Sequence, residues 1–205
     1  MPKDIEKRSF EIIEGELLHP LPETEKPVIV RVIHTTADFD YAENLKFSND
    51  AVEIALNAIK NGALFITDTN MALAGINKPA LEKLGCTAQC FMADPDVERL
   101  ASENATTRAS AAVDKAAGIF NGTPLIYAVG NAPTALMRIC ELYNKGEFSP
   151  TLVIGAPVGF VNVVQSKETL VRSGLPYIAA MGRKGGSNVA AAIINALLYM
   201  AIGRI

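Results

Sequence analysis

Residues 124–155 read PLIYAVGNAPTALMRICELYNKGEFSPTLVIG, and this stretch decides the class of the fold. Residues 124–129 form a short apolar run that stops at a Gly-Asn pair, and residues 151–155 form a second apolar run that ends in glycine. Between them, residues 134–143 carry apolar side chains at helical spacing. Apolar strands joined through a helix are typical of a parallel sheet covered by helices on both faces. The stretch therefore predicts a strand, a helix and a strand of an α/β protein.

The same alternation begins near residue 48 and continues to the end of the chain. Ser48 is predicted to cap a helix that stops at Asn61-Gly62. No repeat, low-complexity segment or Pro/Gly/Ser linker divides the sequence. We predict one α/β domain over residues 1–205, with a mostly parallel sheet flanked by helices in three layers. The further predicted elements are strands over residues 63–67, 87–92 and 177–181 and helices over residues 78–84, 106–120, 166–173 and 188–200.

The front of the chain is less regular. Residues 4–17 predict a helical N-terminal segment, which a Pro-rich stretch follows over residues 19–27. Residues 28–33 leave two alternatives open, because their β-branched side chains favour a strand whereas Pro27 suits the first turn of a helix. A helix would bring Arg31 and His34 onto one face, and a strand would point them to opposite faces.

Composition excludes several classes of function. The chain has 19 basic and 22 acidic residues, a net charge of -3 and a pI near 5.5, so general nucleic-acid binding is not expected. The longest apolar stretch, residues 189–202, is interrupted by Asn195 and is shorter than the ~20 residues that span a bilayer. The N-terminus lacks the layout of a secretory signal, and we expect a cytoplasmic protein without a membrane segment.

The cysteines and histidines argue against a transition-metal enzyme. Cys86 and Cys90 have three residues between them, a spacing that differs from that of redox and zinc pairs. His19 and His34 are too few for a His-rich metal site in one chain, although carboxylates could still hold a hard cation. We expect structural thiols and no metal ligands.

Three loops that follow predicted strands are the candidate ligand sites. They cover residues 129–134, 155–160 and 182–187, and we expect all three at the carboxyl edge of the sheet, where α/β proteins bind ligands. Each loop is expected to offer free backbone N–H groups beside a helix start, which suits an anionic ligand with several acidic groups. The alternative is that the glycines only make tight turns and that the cations are solvated. The cations that would add charge are Arg108, Lys167, Arg183 and Lys184.

Sequence fingerprints of other chemistries are absent. No G-x-x-x-x-G-K-[ST] occurs and no G-x-G-x-x-G follows a strand, which argues against the common nucleotide sites. There is no G-x-S-x-G, so a hydrolase is not expected. His34, beside Arg31 and near Asp38, has the chemistry to exchange a proton near neutral pH, but taken alone it is more often a structural residue. The residues Asp38, Asp40 and Asp68 fit helix or turn caps and receive no chemical role.

Seven separated strings are more specific than this chemistry. In their order and spacing they resemble the precorrin-8X methylmutase family, also called cobalt-precorrin-8 methylmutase, of cobalamin biosynthesis, over nearly the whole chain. The strings are RSFEII at 8–13, RVIHTTADF at 31–39, TRASAA at 107–112, GNAPTAL at 130–136, PVGFV at 157–161, SKE at 166–168 and GRKGGS at 182–187.

The resemblance implies a reaction and the residues that carry it. Members of the family move a methyl group from C-11 to C-12 of the corrinoid ring, giving hydrogenobyrinic acid or its cobalt-containing counterpart, cobyrinic acid, without a cofactor. The catalytic histidine of the family falls on His34, as a proton donor or acceptor. For Arg31 to act beside it, residues 28–34 must be helical, and we predict a helix there. The motif matches imply these substrate contacts: Ser9, Arg31, Arg108, Asn131, Lys167, Arg183 and Lys184.

The resemblance also implies a homodimer that binds the flat corrinoid near the subunit interface, as two equivalent sites. A second, fused activity is not expected in a chain of this length. Two other functions remain as alternatives. One is a carrier that binds the corrinoid without converting it, and the other is an α/β protein that binds a nucleotide or another phosphorylated metabolite.

Overall fold

The computed structural model describes residues 2–120, 122 and 124–204, and its centre is a mostly parallel sheet. Within these residues the sheet has six strands in the order β1-β6-β5-β4-β2-β3, and only β1 is antiparallel to its neighbour. The predicted α/β class and parallel sheet are confirmed. The strands are β1 (Leu45–Phe47), β2 (Leu64–Thr67), β3 (Thr87–Gln89), β4 (Leu125–Val129), β5 (Leu152–Gly155) and β6 (Tyr177–Ala180).

Helices cover both faces of the sheet, as the three-layer prediction requires. Buried side chains of α1, α2, α4, α6 and α11 form the core on one face, and those of α7, α8, α9 and α10 form the core on the other. The described helices are α1 (Pro2–Glu16), α2 (Lys26–Thr36), α3 (Tyr41–Asn44), α4 (Ala51–Lys60), α5 (Asn70–Gly75), α6 (Lys78–Lys83), α7 (Pro95–Glu103), α8 (Arg108–Phe120), α9 (Pro133–Asn144), α10 (Val163–Arg172) and α11 (Ser187–Ala201).

The strand order creates a crossover between β2 and β4. After β3 the chain returns past β2 and adds β4 on the other side of it, so β2 has parallel neighbours on both sides. Loops that leave such neighbouring strands in opposite directions open a crevice at the carboxyl edge of the sheet. The N-termini of α9, α10 and α11 follow β4, β5 and β6 at that edge.

The segment that the sequence leaves open between helix and strand is helix α2. Pro27 lies in its first turn, and every residue from Val28 to Ile33 except Arg31 is buried. This near-continuous burial arises because α1 and α11 both pack against α2. Ala37 ends the helix in the left-handed conformation, with φ 53, and donates its N–H to the Ile33 carbonyl. The prediction of a helix is confirmed and the strand alternative is wrong.

Several short elements were not predicted, and one cap is wrong. β1, α3, α5 and α7 have no predicted counterpart. β1, α3 and α5 have only three, four and six residues, which is too few for a clear periodicity. α7 has nine residues and buries Val97 and Ala101 at helical spacing, a pattern that could have been predicted. β3 is shorter than predicted and ends at Gln89. Ser48 does not cap α4: its hydroxyl accepts the Tyr177 N–H at 2.9 Å, and Asp50 precedes the helix.

Among the described residues no helix combines the length and the apolar character needed to cross a membrane.

Candidate active site

His34 lies in the last turn of α2 with its side chain exposed. The Phe10 ring of α1 meets the imidazole edge to face, with ring centroids 5.2 Å apart and an interplanar angle of 89°. This contact fixes one side of the imidazole through apolar packing and leaves its ring nitrogens uncommitted to any acceptor or donor in the described residues. His34 is therefore free to exchange a proton with a ligand.

Lys184 ties the end of α2 to the loop of residues 182–187, which we call the glycine-rich loop. Its Nζ lies 2.6 Å from a carboxylate oxygen of Asp38 and 2.6 Å from one of Asp40, both in the turn that follows α2. The two carboxylates raise the pKa of Lys184, and the ammonium lowers the pKa of Asp38. The predicted substrate cation thus already has two internal partners, and its main structural effect is to bring His34 and the glycine-rich loop to one edge.

Arg31 is also engaged within the protein. Its guanidinium lies 2.6 Å from the Glu6 carboxylate and contacts the faces of Phe10 and Tyr199 at 4.6 and 4.9 Å from the ring centroids. Only 13% of its side chain is exposed. Glu6 binds Arg204 as well, at 3.0 Å, and the pKa of Glu6 is lowered mainly by the Arg31 hydrogen bond. A ligand carboxylate that reaches Arg31 must therefore share it with Glu6.

Ser9 precedes Phe10 on α1 and is partly exposed. Its hydroxyl donates to the Ile5 carbonyl one turn earlier, at 2.9 Å. The oxygen keeps its capacity to accept a further hydrogen bond. Ser9 thus lies on the helix whose Phe10 packs against His34, and its hydroxyl can still accept a hydrogen bond from a ligand.

The loop of residues 129–134 is already occupied by a carboxylate of the protein itself. Asp68 follows β2 directly, is 1% exposed, and accepts the N–H groups of Gly130, Asn131 and Ala132 at 2.8, 2.8 and 2.7 Å. Burial raises the pKa of Asp68, while these three donors oppose that shift. The prediction of free amides in this loop is wrong. The Asn131 side chain is exposed and remains available.

Lys167 does not lie at the surface of the site. Its side chain on α10 is fully buried, and Nζ donates to the carbonyls of Gly182 and Lys184 at 2.9 and 2.7 Å. Burial lowers its pKa to about 8. A direct contact between Lys167 and a ligand does not fit this geometry, because the ammonium lies beneath the glycine-rich loop and both carbonyls separate it from solvent.

Arg108 and Arg183 are the predicted cations that stay open. In the described part of the chain neither has a carboxylate partner, and both side chains are exposed. Arg183 lies over the ring of Phe160, 5.5 Å from the centroid. Phe160 is 83% exposed and the adjoining Val161 is 77% exposed, so two exposed apolar side chains lie beside the Arg183 guanidinium.

Arg108 begins α8 on the opposite face of the sheet from His34. Thr107 and Thr134 join the starts of α8 and α9 by a hydroxyl contact of 2.9 Å. Because α9 follows β4, this contact places Arg108 at the carboxyl edge as well. Both open cations therefore lie at the carboxyl edge, Arg183 within the glycine-rich loop and Arg108 at the start of α8.

Two clefts adjoin the candidate site, and one of them is lined in part by Phe10 and Arg31. A polar cleft of about 630 Å³ opens between α8 and α9, and a more apolar one of about 220 Å³ lies between α1, α2 and α11. His34 lines neither of them. No three His, Cys, Asp or Glu side chains within residues 2–120, 122 and 124–204 lie close enough together to hold a metal ion. In one chain the edge that carries His34 is an open surface.

Comparison with known proteins assigns the chain to a family. The family model described as precorrin-8X methylmutase matches residues 4–200 of the chain. The chain belongs to the precorrin-8X methylmutase family. Methylmutases are isomerases that move a methyl group within one molecule, so the enzyme class expected from the seven motifs is confirmed.

Relatives and a solved structure of the methylmutase family match over almost their whole length. A cobalt-precorrin-8 methylmutase of Salmonella typhimurium is 46% identical, covering 97% of this chain and 95% of that protein. A precorrin-8X methylmutase of Pseudomonas aeruginosa is 36% identical, covering 94% of this chain and 93% of that protein. The crystal structure of the Thermus thermophilus precorrin-8X methylmutase has a TM-score of 0.88 and 40% identity, covering 98% of this chain and 99% of that one.

Three residues that shape the candidate site were not predicted from the sequence. For Asp68 the sequence contains a signal, because it is an acidic residue directly after a fully buried strand, where its side chain can reach the loop of the neighbouring strand. Phe160 carried one too, as an aromatic residue within the PVGFV string. Glu6 carried none, because its pairing with Arg31 depends on how α1 packs against α2.

Proposed function

We propose that this enzyme moves the methyl group from C-11 to C-12 of precorrin-8X or cobalt-precorrin-8, giving hydrogenobyrinic or cobyrinic acid in cobalamin biosynthesis. His34 is the proton donor or acceptor of the reaction. The observation that carries the proposal is the exposed, uncommitted imidazole of His34 at the same edge of the sheet as two open arginines. The cytoplasm stays the predicted location of this reaction.

His34 has the chemistry that a methyl shift around an electron-deficient ring requires. A proton or hydrogen bond delivered to a ring nitrogen or an adjacent carbon changes the electron distribution of the π system, so that the methyl migrates across one face. General acid catalysis of this kind contributes typically ~10²- to 10⁴-fold in rate. The Phe10 contact restricts the imidazole, and orientation of the macrocycle supplies much of the remaining acceleration.

Substrate binding needs groups for two different kinds of surface. The acetate and propionate arms of the ring require cations and hydrogen-bond donors, and Arg108, Arg183 and the Asn131 side chain are open to them. The ring itself is flat and largely apolar, and the exposed Phe160 beside Arg183 offers it an apolar contact. Ser9, which precedes Phe10 on α1, adds a hydroxyl that can accept a further hydrogen bond.

We propose that the active enzyme is a homodimer in which a second copy closes the ring site. The open surface at His34 supports this, because a buried site for a large macrocycle requires a further wall. Exposed apolar side chains support it as well. Ile5 and Ile12 of α1 lie two turns apart on one face and are 71% and 49% exposed. Their burial against a second subunit would remove apolar surface from water.

Purified enzyme incubated separately with precorrin-8X and with cobalt-precorrin-8 tests the reaction. The expected result is a change in the absorption spectrum as ring conjugation changes, together with a product of unchanged mass. His34→Ala should lose at least about 100-fold in kcat while still binding the corrinoid product. Turnover of His34→Ala at the wild-type rate contradicts the catalytic role. Tight binding by the wild type without any conversion indicates the carrier instead.

Asp68 argues against the nucleotide or phospho-metabolite alternative. A bound phosphate at the β2–β4 crossover would require the amides of Gly130, Asn131 and Ala132, and the Asp68 carboxylate occupies all three. A second anion there would find no free N–H donors, and the buried Asp68 carboxylate would repel it. ATP and NAD should therefore not bind at the β2–β4 crossover, and titration with each of them tests this.

A further inference from the structure

Lys167 is a charged side chain that the proposed chemistry does not use. Its side chain is fully buried, and its ammonium binds the carbonyl oxygens of Gly182 and Lys184. Within the described residues no carboxylate lies in ion-pair distance of it, and burial is the sole cause of its lowered pKa. A buried lysine without an anion is costly to keep, so its retention calls for a function.

Lys167 and Gly159 together hold three successive carbonyl groups of the glycine-rich loop. The carbonyl of Arg183, which lies between the two that Lys167 binds, accepts the N–H of Gly159 at 3.2 Å. The peptide groups that begin at Gly182, Arg183 and Lys184 are thus each fixed from inside the protein.

The fixed carbonyl groups determine where the amides point. No peptide bond in the described part of the chain is cis, and in a trans peptide the N–H points opposite to the carbonyl. The N–H groups of Arg183, Lys184 and Gly185 are therefore directed away from Lys167 and Gly159. None of the three has an acceptor among the described residues, so they are open to a ligand.

The open amides continue into the start of α11. Gly186 donates its N–H to the Ala156 carbonyl at 2.8 Å, which anchors the end of the loop, and α11 begins at Ser187. The first turn of a helix carries partial positive charge. The pKa of Lys167, at about 8, leaves its ammonium charged at neutral pH directly beneath this row of donors. The start of α11 and the buried Lys167 ammonium thus both contribute positive charge beside these donors.

We propose that Lys167 is a positioning residue for substrate binding, which presents the amides of Arg183, Lys184 and Gly185 to the carboxylate arms of the corrinoid without touching the substrate. The proposal rests on the proposed function, because it needs a polycarboxylate ligand at this edge. It replaces the direct contact expected from the sequence with an action through the loop. Two hydrogen bonds from Lys167 fix the conformation of the glycine-rich loop, and the buried charge of Lys167 strengthens the attraction for anions.

Steady-state kinetics of Lys167→Met with the corrinoid substrate test the proposal. Methionine keeps most of the apolar stem and removes the donors and the charge. We expect KM to rise about tenfold or more while kcat changes by less than about threefold, because His34 is untouched. Lys145→Met is the matched control, since Lys145 is an exposed residue of the loop after α9 that pairs with Glu141, and it should keep both constants.

A wild-type KM in a folded Lys167→Met enzyme overturns the proposal, as does a loss confined to kcat. Absence of turnover by the wild type contradicts the proposed function instead, so the two failures are distinguishable.

Hydrogen exchange of the wild-type protein decides the question if Lys167→Met does not fold. The amides of Arg183, Lys184 and Gly185 should exchange rapidly in the free enzyme and slow at least about tenfold when the corrinoid product is bound. Gly186, whose N–H is bonded to Ala156, should be slow in both states and serves as the internal reference. Equal exchange of the three amides with and without product overturns the proposal.

Discussion

The Glu6 carboxylate on α1 lies 2.6 Å from the Arg31 guanidinium on α2, one turn before His34. The same carboxylate reaches Arg204 beyond the end of α11, so a single acidic residue joins the two ends of the described chain to the helix that carries His34. Phe10 contacts both Arg31 and His34. The histidine is thus held by a packed network rather than by a hydrogen bond of its own.

Glu6→Gln should weaken this network. The pKa of Glu6 is lowered in the folded protein, so its carboxylate stabilises the fold above its unfolded pKa, and this contribution is lost as the pH falls through the folded value. We expect a loss of about 1 kcal/mol in unfolding free energy at neutral pH that disappears in acid. Urea unfolding at several pH values measures it. Glu11→Gln is the control, because Glu11 is 57% exposed and 3.9 Å from Lys7, and an equal loss there would contradict the prediction.

Asp68→Asn should destabilise the carboxyl edge of the sheet. Either orientation of the new amide directs its NH₂ at one or two of the N–H groups that Asp68 now accepts, which leaves buried donors unpaired. We expect a loss of about 1–3 kcal/mol in unfolding free energy. Asp96→Asn, at an exposed residue paired with Lys115, should lose less stability than Asp68→Asn, because surface ion pairs contribute little. Equal stability of Asp68→Asn and the wild type would show that the amides have other acceptors.

Gly185→Ala should disrupt the glycine-rich loop. A Cβ at this position would overlap the backbone carbonyl oxygens of Ala156 and Pro157, which cannot move as a flexible side chain could. We expect a raised KM for the corrinoid and a loss of about 1–3 kcal/mol in stability by overpacking. Gly118→Ala, which meets open space on α8, should be neutral or stabilising by up to about 1 kcal/mol. The two variants are compared by thermal unfolding and steady-state kinetics.

Phe160→Ala should affect ligand binding and leave stability unchanged. The ring is 83% exposed, so its removal costs the free protein little, within about 0.5 kcal/mol. Corrinoid affinity, measured by absorption titration, should fall about 5- to 30-fold as an aromatic contact worth about 1–2 kcal/mol is lost. Ile119→Ala, exposed near the end of α8 and so at the opposite edge of the sheet, should bind as the wild type does. If Phe160→Ala binds the corrinoid with wild-type affinity, the loop of residues 155–160 does not contact the ligand.

The stability difference between wild type and Lys167→Met should depend on pH. Burial lowers the pKa of Lys167 from its ordinary value to about 8, so between these values the unfolded chain binds more protons than the folded one. The wild type should therefore gain stability relative to the variant, by up to about 3 kcal/mol, as the pH rises from about 7 to about 10. The neutral amine keeps two donors for the two carbonyls. A difference that stays constant with pH would mean that the ammonium titrates as in water.

Much of the fold was predictable because its elements have strong local patterns. The apolar runs of β2, β4, β5 and β6 are buried along their whole length, apart from Tyr177 at the start of β6, and each is followed by a helix with an apolar stripe. β1 was not predictable, since it consists of three residues and exists through its antiparallel pairing with β6, more than 130 residues later. α2 was ambiguous because burial from two sides leaves little helical periodicity in its sequence.

The candidate site was predictable in its location but not in its electrostatics. The three loops after the strands are at the predicted edge, and His34 is exposed beside them. The sequence gives no account of which charges are already neutralised. Lys184 and Arg31 have carboxylate partners, and Lys167 is buried. Of the five predicted substrate lysines and arginines, only Arg108 and Arg183 are therefore exposed without a carboxylate partner among the described residues.

The amino-acid sequence by itself determined the α/β class, the helix–strand alternation and the family motifs, because these depend on side-chain periodicity and on short strings of neighbouring residues. Only the tertiary structure decided which cations stay open and which loop amides stay free. The partners that occupy them come from far along the chain: Glu6 lies 25 residues from Arg31, Asp68 lies 62 residues from Gly130, and Asp38 lies 146 residues from Lys184. Such pairings arise from packing, and no local pattern encodes them.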